Sequence, residues 1–299
     1  MIKYVTLGNK DALQVTFCTL GASIYAIRFN NRLMTLTPKR KRDFALSYIY
    51  HGKTIGPVCG RIKKGKLFIK DKEYDFLPNE GENTLHGGPS GFSNQIFAYE
   101  LINNGIVFAY EDDLGKYIVE YRIDDSTLKV NYRIELKKEI PIAITNHSYF
   151  TLGSKNILKT KLQISASKFI EVNSKDLIPE RIRKVLPCLN FKKPRNIGRC
   201  INNSYLKDSK TNGYDHSLIL DEVGSPIILE NKKYRLTITS NFNAVQIYSD
   251  NYNENVEMLN TKEKVYRGIA IEPQDNQLER KSYRDTYSRF IEYRFSKND

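Results

Sequence analysis

The chain has 299 residues, 40% of them hydrophobic and 11% aromatic, with 20 Tyr, 14 Phe and no Trp. That is enough to bury a large core, and no apolar run approaches the roughly 20 residues a bilayer crossing needs. The formal charge is +13, concentrated in 39–42, 63–72 and 181–199, but no basic run interleaves the aromatics of a base-stacking platform. The charge therefore reads as solvated surface, and neither a nucleic-acid nor a membrane partner is expected. The first residues, MIKYVTLGNKDALQV, lack the apolar centre of a secretory signal, so a cytoplasmic protein is expected. Cys18, Cys59, Cys188 and Cys200 form no CxxC pair and read as buried thiols.

In chain order, Ile106–Tyr110 and Tyr117–Ile123 flank the polar stretch 111–116 and predict a hairpin. Leu128–Leu136 alternates apolar and polar residues, which puts one strand face on a core and the other in water. The run 140–144 is apolar and strand-like. Tyr234–Thr239 and Ile291–Phe295 repeat the alternation. With no long amphipathic helix, linker or repeat, the pattern predicts an all-β chain, one large antiparallel β-sandwich domain over 1–299.

The chemistry-bearing candidates sit in short motifs. His86 lies in Leu85-His86-Gly87-Gly88, where two glycines permit close backbone approach by a ligand. His147 lies in Asn146-His147-Ser148-Tyr149-Phe150, and Glu272 follows Gly268-Ile269-Ala270-Ile271. A carboxylate beside an apolar strand is costly to bury unpaired, which marks it as a site candidate. Taken singly, each histidine also fits an ordinary hydrogen-bonded residue, and Asp215 fits a turn. A metal set would have to be gathered from four separate segments, with no HxH or HExxH, so no metal is expected.

Eight short motifs in order resemble the aldose 1-epimerase (galactose mutarotase) family along nearly the whole chain. They are Gly21-Ala22-Ser23-Ile24, Gly56 to Gly65 around Arg61, Leu85 to Phe92, Asn146 to Phe150, Leu177-Ile178-Pro179, Tyr214-Asp215-His216, Val245-Gln246-Ile247-Tyr248 and Ile271-Glu272-Pro273-Gln274. The resemblance implies a supersandwich of antiparallel sheets with a sugar groove on one face. It implies Glu272 as base on the anomeric hydroxyl and His147 as acid toward the ring oxygen. It implies that Arg61, His86, Asp215 and Gln246 hold sugar hydroxyls, and that no cofactor takes part. Three positions depart from the pattern: Pro57 where a further arginine is common, Gly60 and Thr151 where asparagine is. Mutarotation needs an ionised carboxylate and a protonated imidazole, the ordinary states of Glu and His near neutrality. A carboxylate beside the histidine would raise its pKa, and a nearby arginine would keep the glutamate charged. The alternatives are an epimerase of hexose 6-phosphates, suggested by the lysines near Arg61, and a non-catalytic sugar-binding module.

Overall fold

A computed structural model describes residues 1–46, 50–208 and 210–298 of the chain. The structure is built from β-strands, with only short helices such as Lys41–Leu46 and Ser204–Asp208. No helix among the described residues is long and apolar enough to cross a membrane.

Three antiparallel sheets carry the architecture. The largest has nine strands, running spatially from Ala98–Ile102 through 105–111, 115–124, 127–136, 286–297, 234–240, 227–230 and 161–163 to Arg195–Asn196. Its centre is the long ladder in which Val130 faces Ile291 and Tyr132 faces Arg289. A second sheet has six strands in the order 149–150, 269–274, 244–248, 215–220, 166–172 and 179–184. A third has four strands, Tyr4–Gly8, Leu13–Cys18, Ser23–Phe29 and Arg32–Leu33.

Alternation explains how the sheets pack. Successive side chains of a strand point to opposite faces, so Leu128, Val130, Tyr132 and Ile134 all face inward. They join Phe17 of the four-stranded sheet and Phe169, Leu218, Val245, Ile247, Ile269 and Ile271 of the six-stranded sheet in one buried cluster. Burying an aromatic or aliphatic side chain of this size contributes about 1.5–3 kcal/mol, and this shared core holds the sheets face to face.

The expected strands are present with wider bounds, most of all Ile291–Phe295, which lies within a twelve-residue strand, Thr286–Lys297. The hairpin closes at 112–114, where the Asp112 carboxylate accepts from the backbone N–H of Leu114 and Gly115 at 2.8 and 3.0 Å. The run 140–144 differs from its reading as one strand. It forms the short pairing Ile140–Pro141 and a single bridge from Ala143 to Val58, with Thr145–Asn146 pairing beyond it. Its residues are fully buried and apolar without alternation, so the segment serves as packing between two sheets rather than as a long ladder. Cys18, Cys59 and Cys188 are buried free thiols, whereas Cys200 is partly exposed.

Candidate active site

The six-stranded sheet turns its second face to a cavity of about 280 Å³, near the lower end of small-molecule sites. Register builds the floor. Ile170 pairs with Ser217, Ser217 with Gln246, and Gln246 with Glu272, so one row crosses four strands. A second row runs from Tyr149 through Ala270 and Tyr248 to Asp215. Because the strand period is two, Asp215 shares a face with Ser217, Gln246 with Tyr248, and Glu272 with Gln274. All six line the cavity.

Loops supply the opposite wall. Arg61 begins a two-residue strand paired with Thr84–Leu85, which sets His86 immediately beyond it. His86 has φ 56°, and its Nδ1 accepts the Gly60 N–H at 3.2 Å while its own N–H donates to the Gly60 carbonyl at 3.1 Å. That bond fixes the neutral tautomer and leaves Nε2–H to serve a ligand. Burial holds the His86 pKa well below the usual range, reinforced by His147 and Arg61. The imidazole is therefore a neutral donor.

His147 is fixed through its backbone. Its N–H donates to the Lys53 carbonyl and its carbonyl accepts from Gly52, both at 2.9 Å. Asn146 spans the same loop, donating to the Gly52 carbonyl at 3.0 Å and accepting from Ser148 Oγ at 2.6 Å. Gly52 has φ +63°, and a β-carbon there would lie 1.8 Å from the Ile24 carbonyl oxygen, so only glycine lets these chains meet.

The sequence candidates converge. His147 Nε2 lies 3.5 Å from Glu272 Oε1. Gln246 Nε2 donates to Asp215 Oδ1 at 2.6 Å, and Arg61 Nη1 lies 3.9 Å from Asp215 Oδ2. Arg61, His86, His147, Asp215, Gln246 and Glu272 all line one cavity. Sequence reasoning missed Glu80, whose carboxylate accepts a fork from Arg61 Nε at 2.7 Å and Nη2 at 2.9 Å. It also assigned no role to Gln274 or Gln277, which line the cavity too. Gln274 could have been found from its i+2 spacing to Glu272 on one strand; Glu80 and Gln277 carried no such signal.

The protonation states correct the sequence reading. Burial pushes Glu272 well above the ordinary carboxylate range, and the charge of Asp215 adds to the effect. Burial likewise takes His147 down to about 4, although a carboxylate stands beside it. Desolvation wins over the pairing at this depth, because both groups are almost wholly buried. Arg61 does not rescue the charge on Glu272, since its guanidinium is engaged by Glu80 and stands near Asp215 instead. Glu272 Oε2 and Gln274 Nε2 have no hydrogen-bond partner among the described residues, which leaves one acceptor-or-acid oxygen and one donor for a ligand.

The departures from the family pattern also find a place. Pro57 does not line the cavity; beside it, Arg280 donates to the carbonyls of Cys59 at 2.7 Å and Arg61 at 3.1 Å. Thr151 lies away from the cavity, where its hydroxyl accepts from Gly153 N–H at 3.2 Å. No group of three or more His, Cys, Asp or Glu among the described residues is arranged to hold a metal ion.

Known proteins resemble the chain at three levels. Galactose mutarotase of Sus scrofa is 31% identical over 233 residues, covering 71% of this chain, and the chain spans only 66% of that protein's length. Aldose 1-epimerase of Escherichia coli K12 is 25% identical over 303 residues, covering 90% of this chain and 85% of its own. The crystal structure of galactose 1-epimerase from Lactobacillus acidophilus NCFM superposes with a TM-score of 0.86 at 21% identity, over 100% of this chain and 99% of that one, and shows the same fold. The family model described as aldose 1-epimerase matches residues 3–282, and the chain belongs to that family.

Proposed function

We propose that the protein is an isomerase, an aldose 1-epimerase that interconverts the α and β anomers of a free aldohexose such as glucose or galactose. The observation that carries this reading is the 3.5 Å approach of His147 Nε2, from the loop wall, to Glu272 Oε1, from the sheet floor, inside the cavity.

In ring opening, the Glu272 carboxylate takes the proton of the C1 hydroxyl. The C1–ring oxygen bond breaks with its electron pair going to the ring oxygen, and the His147 imidazolium protonates that oxygen. The product is the open aldehyde with Glu272 as acid and His147 as neutral imidazole. Rotation about C1–C2 presents the other carbonyl face. His147 then takes back the proton as the ring oxygen attacks C1, and Glu272 returns its proton to the former aldehyde oxygen. No proton is gained or lost overall.

Burial keeps the resting pair as a neutral carboxyl group and a neutral imidazole, so in this reading the proton first passes from Glu272 to His147 across their 3.5 Å approach, and the ion pair is the reactive form. Glu272 and His147 share one proton in both the closed-ring and open-chain complexes, and opening converts an ion pair into two neutral groups. Burial raises Glu272 and lowers His147, so desolvation drives ring opening from the ion pair and opposes its return on closure. Positioned acid–base groups of this kind contribute about 10²–10⁴-fold each. Arg61, His86, Asp215 and Gln246 are assigned to the sugar hydroxyls in this reading.

The substrate is assigned as unphosphorylated. Three carboxyl groups, those of Glu80, Asp215 and Glu272, line the cavity against the guanidinium of Arg61, and no lysine among the described residues does. Lys63, Lys64, Lys66, Lys70 and Lys72 are exposed, with Lys66 paired to Glu73 and Lys72 to Glu139. In this reading residues 1–299 act as one domain in the cytoplasm, with neither a nucleic-acid nor a membrane partner. The test is optical rotation of freshly dissolved α-D-glucose and α-D-galactose: catalysed approach to the equilibrium value is expected, and the uncatalysed rate for every aldohexose would refute it.

A further inference from the structure

Beyond the residues already assigned, we propose that Gln277 sets substrate specificity by bonding a sugar hydroxyl on the wall next to His86 and Arg61. The inference rests on the mutarotase reading and extends it to a residue that the motif pattern does not contain.

The starting observation is Gly60. It has φ +73°, and a β-carbon built on it would lie 2.6–2.9 Å from Oε1, Cδ and Nε2 of Gln277. The carboxamide head of Gln277, rather than its stem, therefore occupies the space that a side chain at position 60 would claim. That space borders the cavity, which Gly60, Arg61, His86 and Gln277 all line. Where Gly60 withholds a polar group beside Arg61, the chain returns one from another segment.

The segment carrying Gln277 is rigidly held. Asp275 accepts from Tyr287 OH at 2.8 Å and from Arg289 Nη2 at 2.7 Å. Asn276 is buried, its N–H donating to Asn243 Oδ1 at 2.9 Å and its own Oδ1 accepting from Leu278 N–H at 3.0 Å. Arg280 closes the other side through the Cys59 and Arg61 carbonyls. Such a turn presents its central side chain at small entropic cost. Yet the Gln277 carboxamide takes no part in any of the side-chain hydrogen bonds that anchor the turn. An amide held at a cavity wall by its neighbours, and not used by them, is disposed for a ligand that offers both donors and acceptors, as a sugar hydroxyl does.

The experiment compares wild type, Gln277→Met and Gln277→Ala by polarimetry with glucose and with its 2-, 3- and 4-deoxy forms. Met keeps the side-chain bulk without the amide. For glucose, KM should rise at least fivefold in both variants while kcat stays within about twofold. For one monodeoxy sugar, the one lacking the partner hydroxyl, KM should change less than twofold. An unchanged KM for glucose, or an equal rise for all four sugars, overturns the assignment while leaving mutarotase activity standing. Absence of turnover in the wild type would instead overturn the underlying reading and this inference together.

Discussion

Arg61 and Glu80 are joined by two parallel hydrogen bonds, Nε to Oε2 at 2.7 Å and Nη2 to Oε1 at 2.9 Å. This fork uses two parallel N–H groups along one guanidinium edge, which a lysine cannot reproduce, and it leaves Nη1 3.9 Å from Asp215 Oδ2. Arg61→Lys should therefore raise KM for the preferred aldose by about 10–100-fold, the equivalent of one charged hydrogen bond, with a smaller effect on kcat. Glu80→Gln should do the same more weakly, by releasing the arginine from its fixed pose. Steady-state polarimetry separates the two constants, and wild-type KM in Arg61→Lys would remove Arg61 from the binding set.

The pH dependence follows from one shared proton. With His147 at about 4, the pair takes up a second proton only below that value. It loses its last proton as pH rises through the elevated value of Glu272, which burial and Asp215 hold well above the ordinary carboxylate range. The singly protonated pair is the active form, and these two limits belong to the pair rather than to either residue. The profile of kcat/KM should be bell-shaped, with the acid limb near pH 4 and an alkaline limb above it. An acid limb with its half-point near 6.5, that of an ordinary imidazole, would contradict the assignment.

Lys53 provides a stability test beside the site. Its side chain is 2% exposed, and burial takes its pKa down from 10.5 to about 8. Below pH 8 the folded protein carries a charge whose burial costs up to about 3 kcal/mol, from about 1.4 kcal/mol per unit of pKa. Between about 8 and 10.5 the unfolded chain binds more protons than the folded one, so stability rises with pH over that window. Lys53→Met, which keeps the backbone carbonyl that receives His147 N–H, should raise the melting temperature at pH 7. The advantage should shrink as pH approaches 10.5. A melting temperature that falls at pH 7 would show that the ammonium earns its place through other contacts.

The basic surface gives a further prediction. The lysines between 63 and 72 are exposed and do not line the cavity. Glucose should be turned over in preference to glucose 6-phosphate at moderate ionic strength. A phosphate preference above about tenfold, or about 1.4 kcal/mol, would promote the hexose-6-phosphate alternative. One that appears only at low salt would reflect steering by the surface charge alone.

Much of the fold was legible because half-buried strands write their period into the sequence. Leu128–Leu136 gives its own buried face, and Val130 and Tyr132 are buried as the alternation requires. The fully buried stretch 140–144 has no alternation to read, so its division into short pairings was not visible. Site residues were legible where they lie in compact motifs, as with His86, His147 and Glu272. The row from Ile170 to Glu272 depends on register between strands distant in sequence, and Glu80 and Gln277 reach the cavity from turns. Protonation was misjudged because it depends on burial depth, a property of the assembled sheets rather than of neighbouring residues.

The central claim, that Glu272 and His147 act as one proton-transfer pair, is tested most directly by polarimetric kcat for wild type, Glu272→Gln, His147→Asn and the double variant, each shown to be folded. Each single substitution should lower kcat about 10²–10⁴-fold. The double variant should lose far less than the product of the two, because a relay missing one partner has little left to lose. Near-wild-type turnover in either folded single variant, or losses that multiply in full, would contradict the account.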